Sequence, residues 1–172
     1  VKVGSENGYA VYEAQKAAIT TGYGIIPEQY ANASEYPVVI FSDNCFIAAK
    51  KTWPETLEAV IAFTDTAAGA TVQVLLRDDL DNSGTPTRMY KINGTLVFDL
   101  NSKTLKSNSA TLFEFGADAS YTGAFTSYTT KLVVKNGTLV NDYGKIAAFE
   151  NKTSSDKHYE VVFENVKMTV SS

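Results

Sequence analysis

Three stretches in the second half of this chain are variants of one short unit, and this repetition limits the possible folds more than any other feature. Each unit has a strand-like run of β-branched or aromatic residues, then Asn, then two or three small or polar residues, then Leu or Met. The units occupy residues 96–105 (LVFDLNSKTL), 132–139 (LVVKNGTL) and 161–168 (VVFENVKM). Strands that recur every few tens of residues are typical of solenoid proteins, in which successive units stack.

The spacing of the units leaves room for several strands and a loop in each one. Asn101 and Asn136 are 35 residues apart, and Asn136 and Asn165 are 29 residues apart. A second strand is expected after each of the first two units, at 110–115 and 145–150. Alternation along parallel strands predicts one shared row of inward apolar side chains. Its members are Leu96, Phe98, Leu132, Val134, Val161 and Phe163.

The polar residues of the units are expected on the outside of the stack. Three charged residues occupy equivalent positions, where a side chain should point outward or into the turn: Asp99, Lys135 and Glu164. Asn tolerates the left-handed backbone conformation and has both a donor and an acceptor. Asn residues stacked at equivalent turns are therefore expected to hydrogen-bond to one another. An antiparallel β-sandwich is the alternative fold, because Asn93-Gly94 and Asn136-Gly137 are also favourable hairpin turns.

The first half of the chain contains one clear helix after a strand pair. Residues 37–42 and 45–49 are expected to be strands joined by a turn at 43–44. Thr52 is the expected N-cap, with Pro54 in the first turn and Glu55 completing a capping box. Leu57, Val60 and Ile61 form one apolar face of the helix. Because the open end of a stack exposes backbone and core, this helix is expected to cover it.

The repeat units resemble the right-handed parallel β-helix of the pectate-lyase-like superfamily, in the form found in large bacterial surface and secreted proteins. The stretches GTLVFDLNSKTL, KLVVKNGTL and YEVVFENVKM carry the resemblance over roughly residues 91–172. The segment PVVIFSDNCFIAAKKTWPETLEAV, with ATVQVLLRDD after it, resembles the cap that opens such domains. The resemblance implies one mainly β domain, with residues 1–90 as an N-terminal α/β cap and residues 91–172 as β-helix coils.

Composition excludes some classes of function. The net charge of −4 and pI near 5.0 argue against nucleic acid, which attracts basic patches. No apolar window approaches the 18 residues of a membrane span. The abundance of Thr, Ser, Asn and Tyr, with one Cys, favours an extracellular or cell-surface location in bacteria. The chain begins at Val1 and ends within a unit, so we expect further coils or domains of a parent protein.

The single cysteine and the single histidine are far apart in the sequence. Cys45 has no partner for an internal disulfide. It is expected to be packed and inert, because a cysteine nucleophile needs a histidine and His158 lies in a polar loop far along the chain.

One segment partly matches a calcium loop. Asp79, Asp81 and Ser83 place oxygen-bearing side chains at alternate positions before Gly84, which permits a sharp turn. The bidentate Glu of the complete motif is replaced by Tyr90. The same residue types also form ordinary turns, so both interpretations stay open. We expect no cofactor, and calcium is the alternative if this segment forms the loop.

Two other groups of residues bear on carbohydrate chemistry. Asp99 and Glu164 could form a catalytic carboxylate pair, but Lys135 lies between them, which favours a salt-bridge ladder. Tyr121, Phe125 and Tyr128 lie in the longest loop, where they would stack on sugar rings or hold the loop against the stack.

Because that superfamily spans lyases, hydrolases, adhesins and inert stalks, the resemblance specifies fold and not activity. We expect a non-catalytic stalk or recognition module with polysaccharide or host glycan as its ligand. The alternative is a fragment of a polysaccharide lyase or glycoside hydrolase.

Overall fold

The computed structural model describes residues 2–6, 9–12, 19–82, 84, 86–116, 130–149 and 159–171. Over these residues the chain is mainly β, with one α-helix, α1 (Trp53–Thr66), and short 3-10 helices at Glu28–Tyr30 and Met89–Lys91. The strands, in chain order, are β1 (Lys2–Glu6), β2 (Tyr9–Tyr12), β3 (Ile19–Thr21), β4 (Gly24–Ile26), β5 (Val38–Ser42), β6 (Cys45–Lys50), β7 (Thr71–Leu76), β8 (Leu80–Asn82), β9 (Thr87–Arg88), β10 (Thr95–Asp99), β11 (Thr104–Ser107), β12 (Thr111–Phe115), β13 (Thr130–Asn141), β14 (Lys145–Phe149) and β15 (Tyr159–Val170).

The strands from β7 onward form three rows of parallel pairs. Row one contains β7, β10 and the first halves of β13 and β15. Row two contains β8, β11 and the second halves of β13 and β15. Row three contains β9, β12 and β14. Row one continues through antiparallel pairing of β7 with β5 and of β5 with β6, so that its sheet is mixed.

The register of row one confirms the predicted inward side chains. Leu96 lies opposite Leu132, which lies opposite Val161, and Phe98, Val134 and Phe163 align in the same way. The residues on β10 and β13 are fully buried, whereas Val161 and Phe163 are half-buried against the same core. The alternating pattern therefore determines the register, because a shift of one residue would move all of these inward side chains to the outer face.

The asparagines of the units form a corner between rows one and two. Asn101, Asn136 and Asn165 have φ angles of 50°, 59° and 54°, in the left-handed region that Asn tolerates. β13 and β15 run through this corner without interruption. The chain therefore does not reverse its direction at Asn136-Gly137. At Asn93-Gly94 it continues directly into β10. Neither dipeptide forms the hairpin that a β-sandwich would need.

The helix begins as predicted and packs on the same core. Thr52 accepts a hydrogen bond from the Glu55 N–H and the Glu55 side chain bonds back, which completes the capping box. Leu57 and Val60 are buried and Ile61 packs beside them. Trp53 is fully buried; its Nε1 donates to Thr87 Oγ1 at 2.9 Å. No helix in the described part of the chain has the length and apolar character needed to cross a membrane.

Residues before β5 pack on the other face of the mixed sheet. Ile26, Val39, Phe41 and Leu75 form a second, smaller apolar cluster, with Tyr23 and Tyr30 beside them. Arg77, just after β7, donates hydrogen bonds to the carbonyl oxygens of four residues in the 30–36 segment: Tyr30 (2.7 Å), Ala31 (3.2 Å), Asn32 (3.4 Å) and Tyr36 (2.7 Å). Burial of this guanidinium lowers its pKa, and the four carbonyl oxygens hold it in place.

Candidate functional site: the asparagine corner

The corner between rows one and two carries a shallow open groove of about 500 Å³. Residues from three successive units line it, and most of them have amide or hydroxyl groups: Ser102, Asn136, Gly137, Thr138, Asn165, Val166 and Lys167. Neighbouring strands lie about 4.8 Å apart, so the groove runs for roughly 10 Å along the stack. We refer to these residues as the corner groove.

Hydrogen bonds between side chains fix the amides of the corner. The Asn165 Nδ2 donates to Asn136 Oδ1 at 3.4 Å, and Asn136 Nδ2 donates to Asp99 Oδ1 at 3.3 Å. Asn101 Nδ2 donates to the Leu76 carbonyl oxygen at 3.2 Å instead. The expected asparagine ladder is therefore present between Asn136 and Asn165, and it ends on the carboxylate of Asp99.

Gly137 lies at the floor of the corner groove, at a position where a larger residue would not fit. A Cβ at this position would lie 2.5 Å from Leu100 Cβ and 2.6 Å from the Lys103 carbonyl oxygen. The Thr138 N–H donates to that same carbonyl oxygen at 3.0 Å. The first unit has one more residue between its Asn and its Leu than the second, and this longer turn brings its backbone close to Gly137.

The charged residues of the units stack in register, as the sequence predicted. Asp99 pairs with Lys135 and Lys135 with Glu164 along row one. Lys135 Nζ lies 3.9 Å from Asp99 Oδ2. Tyr23 donates its hydroxyl hydrogen to the same carboxylate oxygen at 2.6 Å, while the Asn101 N–H donates to Asp99 Oδ1 at 3.0 Å. Both oxygens of Asp99 are thus engaged in structural contacts.

The contact between Tyr23 and Asp99 changes the proton affinities of this cluster. Burial raises the pKa of Tyr23, and its hydrogen bond to Asp99 raises it further. The contact with the Tyr23 hydroxyl raises the pKa of Lys135. Tyr23 is not recognisable as a partner of Asp99 from the sequence, because the two residues are 76 positions apart and only the fold brings them together.

The candidate calcium segment is held by contacts within the protein. Asp79 Oδ1 accepts a hydrogen bond from the Thr104 N–H at 2.8 Å. Asp81 lies opposite Lys106 in row two, and Lys106 pairs with Asp142 at 2.8 Å. Ser83 lies outside the described residues. Within the residues that are described, no group of three or more His, Cys, Asp or Glu side chains could hold a metal ion; calcium binding at this segment stays a prediction.

Two further sequence predictions have different outcomes. Tyr121, Phe125 and Tyr128 lie outside the described residues, as does His158. The expectation that Cys45 is packed is wrong, because the free thiol is exposed. Cys45 directly follows the two-residue turn between β5 and β6, at the end of the strand pair.

A second concavity of about 290 Å³ lies between α1 and the 84–92 segment. Its walls are mostly apolar, and the sequence alone gave no indication of it.

Comparison of this chain with models of protein families, with curated proteins and with solved structures gave no match.

Proposed function

We propose that this chain is a non-catalytic recognition module with a right-handed parallel β-helix fold. We place it in a bacterial surface or secreted protein and propose that it binds polysaccharide or host glycan along the corner groove. The carrying observation is the groove itself, in which amide and hydroxyl groups from three stacked units form one continuous polar surface. The resemblance of the repeat units to surface β-helix domains supports this location.

The three rows support the β-helix. Each unit from β7 onward contributes strands to rows one and two, and the strand pairs in the rows are parallel. The inward side chains of the rows share one core. Connections between parallel strands of one sheet are right-handed in nearly all proteins, which supports the handedness.

The chemistry of the corner groove supports a glycan ligand. Sugar hydroxyls donate and accept hydrogen bonds, and the side chains of Asn165 and Thr138 can do both. Val166 adds an apolar contact for the C–H face of a sugar ring. Because the groove extends over three units, we expect an oligosaccharide to bind better than a single sugar.

The carboxylate arrangement supports a non-catalytic role. Asp99 is held by Tyr23, Asn101 and Lys135, whereas glycoside hydrolysis uses two carboxylates that reach the sugar from opposite sides. Lys135 also separates Asp99 from Glu164 along the row.

A binding experiment tests the proposal. The purified chain is screened against neutral and acidic polysaccharides, and the dissociation constant of the best ligand is measured by calorimetry. Thr138→Val keeps the shape of the side chain and removes its hydroxyl. It should weaken binding roughly threefold to tenfold, the effect of one hydrogen bond. Thr104→Val is the matched control, because Thr104 lies directly opposite Thr138 in row two but does not line the groove.

The loop aromatics provide a second arm of the experiment. Alanine at Tyr121, Phe125 and Tyr128 together distinguishes a loop site from the corner groove. Loss of binding in this variant, with Thr138→Val unaffected, would move the site to the loop. An absence of binding across the panel would contradict the glycan proposal, and release of reducing ends would favour the enzyme.

A further inference from the structure

The concavity between α1 and the 84–92 segment is separate from the corner groove, because among the described residues the two have no lining residue in common. We refer to this concavity as the helix crevice. Its volume of about 290 Å³ lies at the lower end of the range for small-molecule sites. The helix crevice therefore suits a compact ligand rather than an oligosaccharide.

The α1 wall of the helix crevice is a single stripe along the helix. It consists of Pro54, Leu57, Glu58 and Ile61, and their spacing of three and four residues places them on one helix face. Val60 of the same helix is fully buried in the core, whereas Ile61 is half-buried. Ile61 thus has apolar surface that the core does not cover, and this surface belongs to the crevice.

The facing wall carries two positive charges. Arg88 is the N-cap of the 3-10 helix that ends at Lys91, and both residues line the crevice. Side chains three residues apart lie on the same side of a 3-10 helix, because it has three residues per turn. The exposed ion pair of Arg88 with Glu114 joins Nε to Oε2 at 3.7 Å. The two Nη atoms of Arg88 can therefore donate to a second carboxylate.

Glu58 supplies the opposite charge from the α1 wall. This residue is exposed, and within the described residues its carboxylate has no ion pair or hydrogen bond. An ammonium group that binds there does not need to displace a partner within the described part of the protein. The remaining lining of the helix crevice is largely apolar and includes Leu57, Ile61, Pro86 and Ile92.

A ligand that matches both walls needs an apolar body, a carboxylate and an ammonium group. We propose that the helix crevice binds a free amino acid with a large apolar side chain. The carboxylate of the ligand pairs with Arg88 and Lys91, its ammonium group pairs with Glu58, and its side chain contacts Leu57 and Ile61. An anionic ligand without the ammonium group meets repulsion from Glu58, and a cationic one meets repulsion from the facing wall. The proposal concerns a second site and does not depend on the proposed glycan site.

Three probes with the same aromatic body test the two charges separately. L-phenylalanine carries both charged groups, hydrocinnamate lacks the ammonium group, and phenethylamine lacks the carboxylate. Each probe is titrated into isotope-labelled protein, and the NMR shifts of the Leu57, Ile61 and Ile92 amides report binding. L-phenylalanine should bind with a dissociation constant of about 1 mM or lower, as expected for a ligand of this size. The other two probes should bind at least about fivefold more weakly, because each loses one charged contact.

Two charge variants assign the charged contacts to residues. Glu58→Gln should weaken the binding of L-phenylalanine roughly threefold to tenfold and leave hydrocinnamate as tightly bound as before, or more tightly. Arg88→Gln should weaken both carboxylate probes by a similar factor without weakening phenethylamine. Asp65→Asn and Lys145→Gln are the matched controls, because both residues are exposed and neither lines the crevice. Both controls should bind like the wild type, and circular dichroism checks that each variant is folded.

Several outcomes of these titrations would overturn the proposal. One is the absence of shifts at the crevice residues up to about 20 mM of each probe, well above the expected dissociation constant. Equal affinities for the three probes would show an apolar crevice that does not recognise charge. Tighter binding of hydrocinnamate than of L-phenylalanine would favour an anionic ligand. Wild-type affinity for L-phenylalanine in Glu58→Gln would show that no ammonium group is bound at this wall.

Discussion

Phe98 and Phe163 occupy the same position in two repeat units, yet their surroundings differ. Phe98, on β10, has a strand on each side, and the Trp53 ring lies 4.7 Å from its own ring. In the described part of the chain, Phe163 on β15 has one neighbouring strand, β13, and it is half-buried. The comparison teaches that the repeat pattern determines which face a side chain takes, while the neighbouring units determine how deeply it is buried.

The largest expected effect comes from removing these two rings. Phe98→Ala should lower the free energy of unfolding by about 3–5 kcal/mol, because it leaves a cavity in a closed core. Phe163→Ala should cost about 1–2 kcal/mol, because less apolar surface is lost. Urea unfolding measures both losses. Equal losses in the two variants would show that the end of the stack is as closed as its middle.

The next largest effect concerns Arg77, which binds the carbonyl oxygens of the 30–36 segment. Arg77→Lys should lower the free energy of unfolding by about 2–3 kcal/mol, because an ammonium group cannot reach four carbonyl oxygens as the guanidinium does. Arg88→Lys is the control, since Arg88 makes an exposed ion pair with Glu114 at 3.7 Å, and such pairs contribute less than about 1 kcal/mol. Equal free energies of unfolding for the two variants would show that the contacts with the 30–36 segment do not stabilise the fold.

A glycine substitution compares the corners of the second and third units. Gly137 lies opposite Val166 of β15. The second unit thus has no room for a side chain at the position where the third unit has valine. Gly137→Ala should destabilise the chain by about 1–3 kcal/mol through overpacking against Leu100. Gly22→Ala, where an added Cβ meets no atom within 4 Å, should be nearly neutral. Thermal unfolding measures the stability of both variants. A neutral effect of Gly137→Ala would mean that the turn of the first unit shifts at little cost to accommodate the added methyl group.

The smallest effect is a pH dependence of the cluster around Asp99. Tyr23 and Lys135 both have raised pKa values in the folded chain, above ordinary values of 10.0 and 10.5. Their contribution to stability is therefore complete below about pH 10 and is lost as the pH rises through the folded values. Tyr23→Phe should lower the free energy of unfolding by about 0.5–1.5 kcal/mol at neutral pH.

The same variant should lose less stability than the wild type between pH 9 and pH 11.5, roughly the range in which these groups titrate. Tyr143→Phe is the control, because Tyr143 is 73% exposed. Parallel pH profiles for Tyr23→Phe and the wild type would show that the cluster does not contribute.

The parts of the fold that were predicted correctly depend on local patterns. Alternation located the inward row from Leu96 to Phe163, and the Thr52–Glu55 capping box located the start of α1. Asn136 was expected at a corner because few other residues adopt a positive φ without strain. Each of these features depends on residues close in sequence, so each was readable from the chain alone.

The parts that were missed depend on contacts between distant segments. Nothing near Tyr23 or Arg77 in the sequence indicates that one reaches Asp99 and the other the 30–36 carbonyl oxygens. The thiol of Cys45, which is expected to be packed and inert, is exposed, and no local sequence pattern indicates this exposure. The corner groove was missed for the same reason, since it exists only where three units meet.

The hydrogen-bonded amides of the corner also give the stack a polarity. Asn165 donates to Asn136, and Asn136 donates to Asp99, so both amide dipoles point the same way along the stack. Their positive ends face the anionic carboxylate, much as a helix N-terminus faces an acidic side chain, and each bond polarises the next. Reversing one amide would set two donors or two acceptors against each other, so the carboxylate of Asp99 sets the sense in which the asparagines above it must be oriented.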